Sequence, residues 1–151
     1  MYSKQMVSQI NQEFWTTLGQ YLSPVLSADG EKINWINYKT EEKHIRFIML
    51  AEDNIATVAI ELSHKDLDVQ QWYFDKFVQL KKILEKETGI EWKWQPMQTD
   101  QYGKTISNIS IGQQGLSVLS KSDWPALISF FKVNIIRLDA FWCQHKFAFE
   151  R

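Results

Sequence analysis

The chain is 151 residues long, about one domain, and a compact domain of that size buries roughly 68–70% of the surface its unfolded form exposes, so one substantial core is expected. Apolar residues make up 44% of the chain, with seven Trp and nine Phe, which excludes a disordered chain. A formal net charge of −1 excludes a global field that would draw the protein onto nucleic acid or a membrane surface, so any acidic partner must meet a local patch.

From Ser3 to Leu22, apolar residues recur at Met6, Ile10, Phe14, Leu18 and Leu22, the spacing of an amphipathic helix with Ser3 as N-cap and Pro24 beyond its end. After a loop with Asp29 and Gly30 come three apolar runs separated by short polar turns: KINWINYK, HIRFIML and IATVAIELS. That pattern predicts an antiparallel meander. A two-residue turn at Asp53 and Asn54 sets Ile45, Phe47, Met49 and Ala51 opposite Leu62, Ile60, Val58 and Ala56, so apolar meets apolar at every step. A turn at Glu41 and Glu42 adds Ile36 and Tyr38 to that face, while Ile33, Trp35, Ile48, Leu50 and Ala59 share the reverse face. Both faces are then expected to be largely covered at one end.

A second helix is expected from about Asp66 to Thr88, with Val69, Tyr73, Phe77, Leu80 and Leu84 on one stripe and Gly89 as a left-handed cap. IEWKWQ alternates as a strand with Ile90, Trp92 and Trp94 inward, and KTISNISI returns as its hairpin partner across the Gly103 turn. Gln113 to Ser120 reads as a loop with room for a short strand at Val118. Ser122 or Asp123 then caps a long last helix that tolerates Pro125 in its first turn and runs to about Phe149. The expected fold class is α+β: one domain over residues 1–151, a five-stranded mostly antiparallel sheet (three-stranded meander plus hairpin) with three helices, in the order αβββαββα. In the last helix Leu127, Phe131, Ile135, Leu138, Trp142 and Phe149 form a core stripe. Ile128, Ile136, Phe141 and Phe147 lie partly outside it and offer a homodimer or partner surface.

Cys143 is the single cysteine, which excludes an intrachain disulfide and fits a reducing compartment. MYSKQMVSQINQEF mixes polar and apolar residues at helical spacing, unlike a signal segment, and the longest apolar run, Phe47 to Ala51, is far too short to span a membrane. A cytoplasmic protein with no membrane partner is expected.

The meander register sets Glu61 opposite Arg46 and Arg46 opposite Asn37, with Ser63, His44 and Lys39 in the next row. Asn37, Lys39, His44, Arg46, Glu61 and Ser63 therefore form the candidate ligand site, an anchor for an anionic or amide-bearing ligand because a guanidinium offers a fixed fork of donors. The plainer reading of the same residues is a solvated sheet edge with a structural Arg–carboxylate pair. A helix, a three-stranded meander, a helix and a strand is also the core order of the PD-(D/E)xK nucleases, whose carboxylate and E-x-K strands hold a divalent metal. Here the third strand reads Glu61-Leu62-Ser63, with serine in the lysine position, and the nearest earlier acid is Asp53 in a turn.

His64, Asp66 and Asp68 read more simply as helix capping than as a metal cluster. Cys143 and His145, two apart on a helix, point to different faces and make a poor nucleophile and base pair. No GxGxxG, P-loop, HExxH or CxxC occurs. Trp92 and Trp94 share a strand face, which marks core rather than a base-stacking platform, and no basic stripe accompanies them.

The strings FWTTLGQYLSPVLSADGEKINWINYKT, VAIELSHKD and SDWPALISFF resemble a bacterial family catalogued as domain of unknown function 4268, over nearly the whole chain. The resemblance implies a bacterial, cytoplasmic protein. In longer relatives a similar domain follows a nuclease-like region, which implies an accessory role in nucleic-acid defence or repair; that region has no counterpart in these 151 residues. No activity and no catalytic residues come with the family. The reading that results is a non-catalytic binding or accessory domain for an unknown ligand or protein partner, with no catalytic residue, metal or cofactor and with nucleic acid disfavoured. A degenerate nuclease-like domain is the alternative, and a homodimeric structural protein is third.

Overall fold

The computed structural model describes residues 2–150. Its elements run α1 (Lys4–Leu22), β1 (Ile45–Glu52), β2 (Ile55–Leu62), α2 (Leu67–Gln79), α3 (Lys81–Thr88), β3 (Lys93–Thr99), β4 (Thr105–Gln114) and α4 (Trp124–His145). Single 3-10 turns at Lys121–Asp123 and Lys146–Phe149 flank α4. The fold is α+β, but with a four-stranded sheet and four helices where five strands and three helices were expected. The strand order is β1-β2-β4-β3 and every pairing is antiparallel.

The missing strand is KINWINYK. Its alternation is apolar enough, but Asn34 turns the chain instead: its side-chain oxygen accepts from the backbone N–H of Ile36 and Asn37, both at 3.2 Å. An Asx turn of this kind competes directly with a strand ladder. Trp35 is buried not on a sheet face but against the loop before it, its indole donating to the Val25 carbonyl at 2.9 Å. Glu41 and His44 both have positive φ, which breaks extended backbone twice before β1 begins. Residues 23–44 are therefore one long irregular segment, and Ile36 and Tyr38 do not join the sheet.

The second difference is the break between α2 and α3 at Leu80, with φ −97° and ψ 7°. Neither glycine nor proline stands there, so no local signal predicts it. Tertiary packing accounts for it: α2 lies on β2, β3 and β4, whereas α3 leaves the sheet and packs on α4. Gly89 caps α3 in the left-handed region at φ 73°, as expected. Trp92 precedes β3 and ties back to α3, with its indole donating to Thr88 Oγ1 at 3.0 Å. No strand forms at Val118, which is nonetheless buried.

The β1–β2 register is the expected one, from Ile45 opposite Leu62 to Ala51 opposite Ala56. Phe47, Ile60, Ile109 and Trp94 lie in one row across all four strands. α2 and α4 pack on that face, and α1 and α3 pack on α4 behind it. Phe47 meets Trp142 of α4 edge-on at 5.6 Å, Phe74 of α2 meets Trp94 at 6.0 Å, and α1 joins through Phe14 against Trp124 and Phe131. The expected stripe of α4 is fully in the core, and Phe141, expected outside it, is buried as well, against Phe77. Phe147 is 67% exposed.

One buried amide pins α2 to the sheet. Gln70 donates to the carbonyls of His64 and Thr105 and accepts from Ser107 Oγ at 2.6 Å, and Ser107 in turn accepts from Met97 N–H at a bulge in β3. Each of these polar atoms is paired, so the network orients α2 without an unmet group. The bulge follows Pro96, and Met97 has φ 51°. β3 is an edge strand, the place where proline and an irregularity are tolerated.

The β1–β2 turn has Asp53 and Asn54 both at positive φ, the type I′ geometry of tight hairpins. Asn54→Ala should cost about 1–2 kcal/mol, the strain of a left-handed non-glycine residue without a short polar side chain, while Asn54→Gly should be neutral or stabilising. Urea unfolding of the two variants checks the register from its turn.

Candidate functional site

The six residues expected at one site divide into two places. Arg46 and Glu61 do face each other, N to O at 3.6 Å, on the sheet face away from the helices. The Arg46 side chain is 68% exposed and that of Glu61 only 19%, so the pair is solvated at its guanidinium end and partly covered at its carboxylate. Glu61 continues into a polar row with Asn108 and Gln95 on the neighbouring strands. His44 and Ser63 extend the ladder by one step, with Ser63 N–H donating to the His44 carbonyl at 2.9 Å. Asn37 and Lys39 are elsewhere, because the strand that was to carry them does not form; they line a cleft between segment 23–44 and α4. Asp53 sits in the hairpin turn, and at about 3.3 Å per residue Glu61 lies roughly 20 Å further along β2, too far to share one metal ion with it. Among the described residues no three His, Cys, Asp or Glu side chains are grouped as a metal site.

The cleft holds about 520 Å³, and beneath it lies a carboxylate that sequence reasoning passed over. Asp139 of α4 is 1% exposed and has no Lys, Arg or His within ion-pair distance among the described residues. A buried carboxylate is tolerated only when donors replace its water. Four do so. Tyr38 Oη donates to Oδ1 at 2.6 Å, Ser27 Oγ to Oδ1 at 2.8 Å, the Ala28 backbone N–H to Oδ2 at 2.8 Å and Cys143 Sγ to Oδ1 at 3.5 Å. Ser27 Oγ also lies 3.4 Å from Cys143 Sγ. Next to this cluster, Trp142 donates its indole N–H to the Thr40 carbonyl at 3.0 Å. Tyr38 stacks on Phe47, which joins the segment to the core face of the sheet.

Burial first, and then the hydrogen bond to the Asp139 carboxylate, push the Tyr38 phenol far above its ordinary range. Burial also raises the Cys143 thiol; the bond to Ser27 opposes this, and Asp139 adds to the rise. Both groups therefore stay protonated and act as donors. A thiolate nucleophile needs the reverse, a lowered pKa beside a cation or base. Around the mouth stand Lys32, Lys39 and Lys146, the acids Asp29, Glu31 and Glu41, and the amides Asn34 and Asn37.

The one sequence signal for this cluster is the spacing of Asp139 and Cys143, four apart and hence on one face of a helix. Ser27 and Tyr38 come from over a hundred residues away in sequence, and nothing local announces that they converge.

Two outcomes are expected. Glu61→Gln should change stability by about 1 kcal/mol or less, because the Arg46 end of the pair is solvated, well below the roughly 3–5 kcal/mol of a fully buried pair. For Tyr38, a raised folded-state pKa means that its contribution is complete below the unfolded phenol value near 10. Above that pH the unfolded chain releases the proton while the folded one keeps it, so stability falls. Tyr38→Phe should therefore be less stable than the parent at pH 7 yet lose stability less steeply above pH 10, as measured by urea unfolding across pH.

No helix among the described residues is long and apolar enough to cross a membrane. No curated protein and no solved structure matches the chain. A family model does match, over residues 10–146, and those residues include α1 from Ile10 onward, segment 23–44, the whole sheet and α4 with Asp139 and Cys143. The chain belongs to the family described as Domain of unknown function (DUF4268).

Proposed function

We propose that this chain is a non-catalytic binding module whose ligand is a small polar molecule seated in the cleft between segment 23–44 and α4. The observation that supports this reading is the commitment of Ser27, Tyr38 and Cys143 to one buried carboxylate. The Tyr38 hydroxyl and the Cys143 thiol are held as donors to Asp139, and the pKa of each is raised, which works against the loss of its proton in a reaction. Recognition is then the remaining role. A rim with three cations, three carboxylates and two amides suits a ligand that carries both signs or an amide, such as an amino acid or a peptide end. The floor beneath it is already tied together by hydrogen bonds to Asp139, which favours a low ordering cost on binding.

The test is an amide chemical-shift titration with free amino acids, N-acetyl amino-acid amides and mononucleotides as probes. The expected result is shifts at Asn34, Asn37, Lys39, Cys143 and Lys146 with the first two classes, and roughly fivefold weaker binding in Lys39→Ala, the worth of about 1 kcal/mol for a rim charge. A response to mononucleotides alone would replace this reading with the accessory nucleic-acid role. Shifts centred on Arg46 and Glu61 would move the site to the open sheet face.

A further inference from the structure

A second concave surface lies on the opposite side of α4 from the sheet, where α1 crosses it. Its walls are Tyr21 of α1 and Trp124, Ile128, Val133 and Ile136 of α4, and it encloses about 930 Å³. Tyr21 is 54% exposed and Val133 40%, and Trp124, Ile128 and Ile136 are half-buried between them. At 1.5 Å per residue, Trp124 to Arg137 spans roughly 20 Å.

The charges along this groove are of one sign. Lys121 stands at one end, Lys132 in the middle and Arg137 at the other end, and among the described residues no acidic side chain lines it. Lys121 is partly engaged, 3.1 Å from Glu13 and 5.2 Å from the Trp124 ring centre. Arg137 gives one N–H to the Thr88 carbonyl at 2.7 Å, which leaves the rest of its fork available. Lys132 has no ion-pair partner among the described residues.

We propose that this groove is the docking site of an acidic amphipathic helix from a partner protein. An apolar floor between two helices is the form of a helix-in-groove site, in which anchors at i, i+3, i+4 and i+7 enter the floor. Cations spread over 20 Å call for carboxylates repeated at the same span. A helix of about fourteen residues supplies them, and a lipid or detergent with a single anionic head does not. A second copy of this chain is a poor occupant, because a two-fold contact sets the same patch against itself and the patch carries only cations. The charge pattern thus selects the partner's sign, and the apolar floor supplies most of the contact area.

The experiment uses the full chain and a fluorescein-labelled synthetic peptide of sixteen residues, with Leu on one helical face and Glu on the flanks. A control peptide of the same pattern carries Lys in place of Glu. The expected result is saturable binding of the acidic peptide only, weakened by salt, with amide shifts confined to α1 around Tyr21 and to 124–137. Lys132→Glu should weaken that binding about tenfold, since one attraction becomes a repulsion. Val133→Asp, an exposed position that leaves the core intact, should weaken it too, and circular dichroism confirms that both variants fold. The proposal is overturned if the acidic peptide fails to bind at millimolar concentration or binds with shifts elsewhere. It is equally overturned if laurate occupies the groove and displaces the peptide, or if light scattering shows a dimer whose formation depends on Val133.

Discussion

The structure turns on one buried charge. Asp139 brings a carboxylate into the interior of the helical layer without a cation, and its desolvation is tolerable only because four donors are delivered to it. Three of those donors, Ser27, Ala28 and Tyr38, belong to segment 23–44, so the carboxylate fixes the path of a segment that has no ladder or helix of its own. Trp35 and Trp142 complete the job by donating to backbone carbonyls at Val25 and Thr40. Long irregular segments inside compact domains are uncommon and tend to carry function, and this one forms a wall of the cleft.

The same arrangement divides the molecule's surfaces. α2 and α4 cover one sheet face, with α1 and α3 behind them, and the other face is left with Arg46, Glu61, Asn108 and Gln95 in a row, beside small residues such as Ala59 and Ser110. Its ion pair is long, at 3.6 Å, and solvated at the Arg46 end, which fits a solvated face better than a built site. The cleft and the α1–α4 groove both lie on the helical side, the groove along residues 124–137 of α4 and the cleft at its C-terminal end. One helix therefore contributes to the core, the buried carboxylate and an open apolar surface at once.

Much of the fold was legible from local chemistry. The β1–β2 register follows from apolar alternation and a turn whose Asp-Asn pair tolerates positive φ, and α1, the Gly89 cap and the core stripe of α4 follow from spacing. The failures have physical causes. KINWINYK has a strand's alternation, but Asn34 offers the backbone a closer partner than a neighbouring strand. The break at Leu80 is imposed by what α2 and α3 pack on, information that no window of the sequence contains. Of the candidate site, Arg46 and Glu61 were placed together correctly because register alone decides it. Asn37 and Lys39 were placed wrongly because their position depended on the strand that does not form. Asp139 was missed because its partners converge from distant parts of the chain, and a lone Asp on an apolar helix announces nothing until they do.

The irregularity in β3 has a consequence for how this protein behaves in a crowded solution. A sheet propagates into a fibre only if it can accept a strand on one side and offer a template on the other. Pro96 removes a donor from the outer side of β3, and the bulge at Met97 turns the backbone out of line there. At the far side, the Thr40 hydroxyl already donates to the Ile45 carbonyl at 2.8 Å, and the rest of β1 remains free to pair. With one side spoiled, stacking that begins at β1 has nowhere to continue. The two edges of the sheet are thus unequal, and the β3 edge works against open-ended strand addition.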